Sequence, residues 1–247
     1  MKRIAWELKL GVVLLALAVL LYFVHYLIFR DLPHILLWGL TNLAFLPISV
    51  LFVSLIVERL MLSHERSARL DKLNMLMGTF FSAGGTLLLS TLSRCDGRID
   101  ELRQFFLAGA KEWSAADFAR LAGTIQGHES RIDMLRVDLP KLKEFLDGRT
   151  PLLVGFLENP NLLEYESFTE VLRALFHLSE ELTVRNDLTD LPEMDMRHLA
   201  GDIQRAYDLL IRQWLTYMKY LKGSFPYLFS LAARMNPLDP NASPVVR

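Results

Sequence analysis

Cysteine is almost missing from this chain: one residue, Cys95, among 247. A lone thiol excludes an internal disulfide and fits a reducing compartment, and without a CxxC partner or lipidation signature it carries no evident role. Phosphate-binding loops are missing as well. Neither GxxxxGK[ST] nor GxGxxG occurs, and no strand–helix setting exists for either. The "SAGG" of residues 82–85 is a glycine pair in an apolar helix. No segment alternates apolar and polar residues convincingly, so helix is the expected regular element throughout. A basic excess is also missing. Residues 58–247 hold 23 basic and 26 acidic side chains, a balance that argues against nucleic acid as a partner.

The absence with the largest consequence is that of charge near the N-terminus. Between Lys9 and Arg30 lie 20 residues without Asp, Glu, Lys or Arg, "LGVVLLALAVLLYFVHYLIF". Between Asp31 and Glu58 lie 26 more, "LPHILLWGLTNLAFLPISVLFVSLIV". A bilayer core of about 30 Å needs roughly 20 apolar helical residues, so each run is long enough to span it. The first run continues past Ala16-Leu17-Ala18, where a cleaved signal peptide would turn polar, so it is expected to be retained.

Basic residues orient the pair. Lys2, Arg3 and Lys9 precede the first run, and Arg59, Arg66, Arg69 and Lys72 follow the second, whereas the connector "RDLPH" has only Arg30. That asymmetry places both termini in the cytoplasm of a plasma membrane. Trp6 suits the inner interface; Tyr22, Tyr26 and Trp38 suit the outer one. Asn42 and Ser49, seven residues apart, share a face of the second span, and Pro47 is a tolerated kink or a hinge. Such in-membrane polar residues hold helices together or line a pore, but neither a selectivity filter nor a charged ring accompanies them.

Past Val57 the chain turns polar without a helix breaker, through "ERLMLSHERSARLDKL". Leu70, Leu73, Met77 and Phe80 begin a heptad-like stripe that continues through Gly84, Leu87 and Thr91. The stripe serves either the protein's own domain or a seam between copies; the pattern is the same for both. Residues 73–93 also lack charge and could cross a bilayer, but Asn74, three glycines and six serines and threonines favour a buried helix, with a bend at Gly84-Gly85.

Helix punctuation fills the remainder. "SAAD" at Ser114 and "SFTE" at Ser167 have capping-box spacing, Thr150-Pro151 reads as a cap followed by a first-turn proline, and Gly148 and Gly223 sit at helix stops. The longest helix is expected from about Asp195 to Lys222. "FPYLFSLAARM" could pack in the core or dock on a membrane surface. The expected fold is all-α: a transmembrane hairpin over 1–62 (spans about 10–29 and 34–57), an exit helix over 63–93, a cytoplasmic helical bundle domain over 94–236 and an irregular tail over 237–247.

The strongest candidates for metal chemistry are His177 with Glu181 and His198 with Asp202, at helical ligand spacing. The apolar stripe Phe168, Val171, Leu172, Leu175, Leu178 and Leu182 puts His177 on the opposite, solvated face, so no metal site and no cofactor are expected.

The run "NPNLLEYESFTEVLRALFHLSEEL", with "HLAGDIQRAY" and "FPYLFSLA", resembles an uncharacterised family of small prokaryotic two-span membrane proteins with a helical cytoplasmic domain. The resemblance covers the whole chain and implies a bacterial or archaeal plasma membrane, without an activity or any residue role. The expectation is therefore a non-enzymatic, membrane-anchored helical module for protein interaction or signalling. Its expected partners are the lipid bilayer, further copies of itself and an unidentified cytoplasmic protein. A small oligomeric channel subunit is the alternative, and a metal-dependent membrane enzyme a weaker third.

Overall fold

In the computed structural model, residues 2–108, 113–163 and 165–246 are described, with side chains omitted at 2–10, 62–68, 108, 161 and 163. The expectations on Trp6, Lys2, Arg3, Lys9 and Arg66 therefore lie outside the described side chains. The described residues are helical with no strand; the only bridge among them is an isolated antiparallel one between Asp96 and Ile132. The chain divides into two compact units, Met1–Arg66 and Ser67–Arg247. Most of the exit segment, from Ser67 on, falls within the second unit.

The first unit contains α1 (Lys2–Phe29) and the beginning of α2 (Leu32–Phe80). The apolar stretches Gly11–Phe29 and Leu32–Met61 are long and apolar enough to cross a membrane, and none of either is buried within the protein. Their leucines, valines and phenylalanines are exposed along the whole length, an apolar surface larger than monomeric soluble proteins usually show. α2 continues through Pro47 and through the polar stretch beyond Val57 without interruption. Helix-forming residues with no glycine between 40 and 77 explain that continuity.

α2 ends at Phe80, shortly before the Gly84-Gly85 pair. Phe81–Gly85 forms a single π turn, with Gly84 at φ 157°, and α3 (Thr86–Ser93) follows. Gly84 suits the place on two counts: its backbone lies in a region that other residues rarely adopt, and a Cβ would displace the Arg149 side chain. Arg149 in turn repairs the break. Its Nε donates to the Ala83 carbonyl at 3.2 Å and its Nη1 to the Phe145 carbonyl at 3.1 Å. The bend expected at Gly84-Gly85 is therefore a built joint, and the apolar segment Arg69–Ser93, nearly half of it buried, crosses it.

The rest of the second unit is a bundle of α4 (Ile99–Ala108), α5 (Ala115–Gly127), α6 (Leu139–Asp147), α7 (Thr150–Leu157), α8 (Pro160–Leu163), α9 (Glu166–Thr183), α10 (Glu193–Ser224) and α11 (Pro226–Arg234). α10 is the axis, packing against α3, α5, α9 and α11. Of the stripe expected from the 3.6-residue period, Leu199, Ile203, Ala206, Leu210, Trp214, Tyr217 and Leu221, all but the half-buried Tyr217 are buried. Around Trp214 the rings of Phe106, Trp113, Phe118 and Phe229 meet edge-on or tilted at 5.2–6.5 Å between centroids. Each such pair contributes about 0.5–1.5 kcal/mol beyond the area it buries.

Two helix starts differ from expectation. The Ser114 capping box forms, with Asp117 returning a bond to the Ser114 N–H. Ser167 does not cap: α9 begins one residue earlier, at Glu166, behind Tyr165. Thr150 likewise lies inside α7, where its hydroxyl donates to the Leu146 carbonyl at 3.1 Å instead of capping. The tail is irregular, as expected, yet not loose, because Asn236, Pro237 and Leu238 are buried.

Candidate functional site: a polar ladder and groove between two helices

α9 and α10 are joined by nine residues, and their facing polar side chains pair in descending order. Arg185, just past α9, meets Asp195; Glu181 meets His198; His177 meets Asp202. Pairs that rise along one helix while falling along the other mean antiparallel packing, with steps near one turn on each. Arg185 closes the ladder as a fork, donating from Nε and Nη2 to both Asp195 oxygens at 2.9 and 2.6 Å and from Nη1 to Glu181 Oε2 at 2.6 Å. Hydrogen bonding to Arg185 holds the Glu181 and Asp195 carboxyls below the usual carboxylate range, and raises the guanidinium itself.

All four residues considered for metal chemistry meet here. His177 Nε2 lies 3.8 Å from Glu181 Oε1 and 3.7 Å from Asp202 Oδ2. His198 Nε2 lies 3.6 Å from Glu181 Oε2 and 3.3 Å from Asp202 Oδ2. His177, expected on a solvated face, is 47% exposed and His198 52%, and the His177 ring also reaches the polar edge of α10 at Asp202. The stripe's period could not reveal a second, polar contact made by the same pair of helices. Among the described residues no group of three or more His, Cys, Asp or Glu side chains is arranged to hold a metal ion. Glu181, moreover, is already engaged by Arg185. His177→Ala should move the thermal midpoint by only a few degrees, because half-exposed pairs at this separation contribute about 0.5 kcal/mol or less. Chelator should leave it unchanged; a large drop in either melt would restore the metal reading.

Beyond Asp202 the ladder opens into a groove of about 840 Å³, bordered by Arg173 and His177 on α9 and by Gly201, Arg205 and Arg212 on α10. Asp202 also lines it, with Oδ2 buried and without a hydrogen-bond partner. Asp208 is also there, bonded by Ser130 Oγ at 2.6 Å, and burial pushes its carboxyl up despite that bond.

A second polar cluster, inside the domain, was not anticipated. Asp96 is fully buried; its Oδ1 accepts the Arg98 and Arg131 N–H groups at 2.9 and 3.0 Å, and its Oδ2 lies 2.8 Å from His128 Nε2. These bonds fasten the turn before α4 to the loop after α5. The nearby Tyr207 phenol is pushed far above its usual value by burial, with the Asp96 charge adding to it. Only "CDG" hinted at a turn at this point; nothing local pointed to partners more than 30 residues away.

The stripe on the exit helix packs inward: Leu73, Met77 and Phe80 belong to the core of the second unit, while Leu70 is largely exposed. In the first unit, Ser49 Oγ donates to the Phe45 carbonyl at 3.2 Å within its own helix. Asn42 borders a shallow groove with Tyr22, His25 and Trp38.

Comparison with known proteins bears on both halves. Residues 69–234 match the family model described as uncharacterized protein MJ1433, C-terminal helical domain, and residues 2–61 match MJ1433, N-terminal helical domain. The chain belongs to the MJ1433 family. It is similar to uncharacterized protein MJ1433 of Methanocaldococcus jannaschii, 42% identical over 234 residues, covering 95% of this chain and 94% of that one. No solved structure matches it. Within the MJ1433 family architecture, the ladder, the groove and the Asp96 cluster all fall in the C-terminal helical domain. The two exposed apolar helices fall in the N-terminal one.

Proposed function

We propose that this MJ1433-family protein is a membrane-anchored helical module for protein interaction or signalling. In this reading α1 and the first part of α2 form a hairpin in the plasma membrane, with both termini in the cytoplasm. The observation that carries it is the pair of apolar helices, neither buried against anything in the chain. Lipid is the solvent that satisfies such helices, since a helix bonds its backbone groups internally and most of the outward side chains here are apolar. The excess of Lys and Arg outside the connector supports the orientation.

A reporter active only in the cytoplasm is expected to work when fused after residue 1 or after residue 247. A reporter active only outside should work within Arg30–His34 alone. An outside signal from the C-terminal fusion would mean that Arg69–Ser93 crosses the bilayer and that this topology is wrong.

A further inference from the structure

We propose that the groove between α9 and α10 is a binding site for a small zwitterion of the α-amino-acid type, its ammonium on Asp202 and its carboxylate on the arginines. This site is independent of how the protein meets a membrane.

The first observation is Asp202. Its side chain is only 6% exposed, yet Oδ2 has no hydrogen-bond donor. His198 and His177 approach that oxygen at 3.3 and 3.7 Å without bonding it. A buried carboxylate oxygen left without a donor is costly, and a donor arriving from the groove removes the cost. Asp202 lines the groove beside His177, whose exposed ring lies 3.7 Å from that oxygen and turns aside for such a donor to reach it.

Gly201, the residue before, is the second observation. It lies well inside the 32-residue α10, where glycine is about 1 kcal/mol less favourable than alanine. Close packing does not explain it, because a Cβ there would meet nothing within 4 Å. What the missing side chain leaves is open floor beside Asp202.

Charge then selects the ligand class. Arg173, Arg205 and Arg212 border the same groove as Asp202, Asp208 and Glu170. The nearest guanidinium nitrogen to Asp202 is that of Arg205, 4.0 Å from Oδ1 and too far for a hydrogen bond. A simple cation would be opposed by three guanidiniums, and a simple anion by three carboxylates. A molecule carrying both charges on one carbon fits an acceptor and a guanidinium one helical turn apart, and Arg is suited to gripping a carboxylate with two bonds. The groove's volume is in the range of small-molecule sites.

The test uses the full-length protein in detergent micelles. Each of the common L-amino acids is added singly in thermal melts and calorimetric titrations, with sodium acetate and ethylammonium chloride at matched ionic strength as half-molecule controls. At least one amino acid should bind and raise the thermal midpoint by a few degrees, while neither control does. Asp202→Asn should weaken binding about tenfold or more. Gly201→Leu points into open space and raises helix propensity, so it should fold normally and lose binding altogether. The proposal is overturned if no amino acid binds, if acetate or ethylammonium binds equally well, or if Gly201→Leu binds like the parent.

Discussion

Phe80→Glu is expected to abolish the folded state of Ser67–Arg247. Phe80 is 4% exposed and stands at the junction of α2, α7 and α9, meeting Phe81, Phe156 and Phe168 edge-on at 5.2, 6.3 and 5.5 Å. Removing the ring alone costs about 3–5 kcal/mol. A carboxylate in its place has no partner and adds several kcal/mol of desolvation. Domains of this kind hold only about 5–15 kcal/mol in total, so the sum exhausts most or all of it. Loss of the cooperative melt and rapid proteolysis within the second unit are the expected readouts. If the variant keeps its melt and its detergent-extracted mass falls instead, the stripe Leu73, Met77 and Phe80 joins copies of the chain, and its placement in the core is mistaken.

The second large effect is expected at Asp96. Asp96→Ala leaves the Arg98 and Arg131 N–H groups and His128 Nε2 without their acceptor, in a partly buried setting. Each orphaned buried donor costs about 1–3 kcal/mol, so a total of about 3–5 kcal/mol is expected. For a domain of this size that is a drop of roughly 6–20 °C in the thermal midpoint. Asp96→Asn keeps one acceptor oxygen and should fall between the two. A shift of only a degree or two for the alanine variant would mean that the loop joining α5 to α6 is held by something other than this carboxylate.

Both predictions turn on contacts that residue order does not display, and the same division runs through the whole molecule. Helix was legible everywhere, because a 3.6-residue stripe such as Leu199 to Leu221 needs only local spacing to be recognised. The two apolar helices were legible for the same reason: twenty successive residues without charge are a property of the chain itself. The joint at Gly84-Gly85 was visible as a bend, though not the Arg149 side chain that satisfies it from 66 residues away.

Sites were less legible than elements. His177, Glu181, His198 and Asp202 were each visible as helical pairs, and the candidate set coincides with the ladder between α9 and α10. Their burial, their order along the seam and the orphaned oxygen of Asp202 were not visible, because the apolar period of one helix says nothing of what its polar edge meets. Gly201 carries no local signal in the sequence, and the open space beside it is a property of the folded domain.

By itself, then, the amino-acid sequence determined the helical class, the long apolar pair at the N-terminus and the continuity of α2 into the second unit, all consequences of local propensity and hydrophobic period. Only the tertiary structure decided that Leu73, Met77 and Phe80 face inward, that Asp96 pins two loops, and that Asp202 and Gly201 open a groove. Those outcomes depend on which helix comes to lie across which, and such long-range pairing is set by the packing of the whole core rather than by any stretch of it.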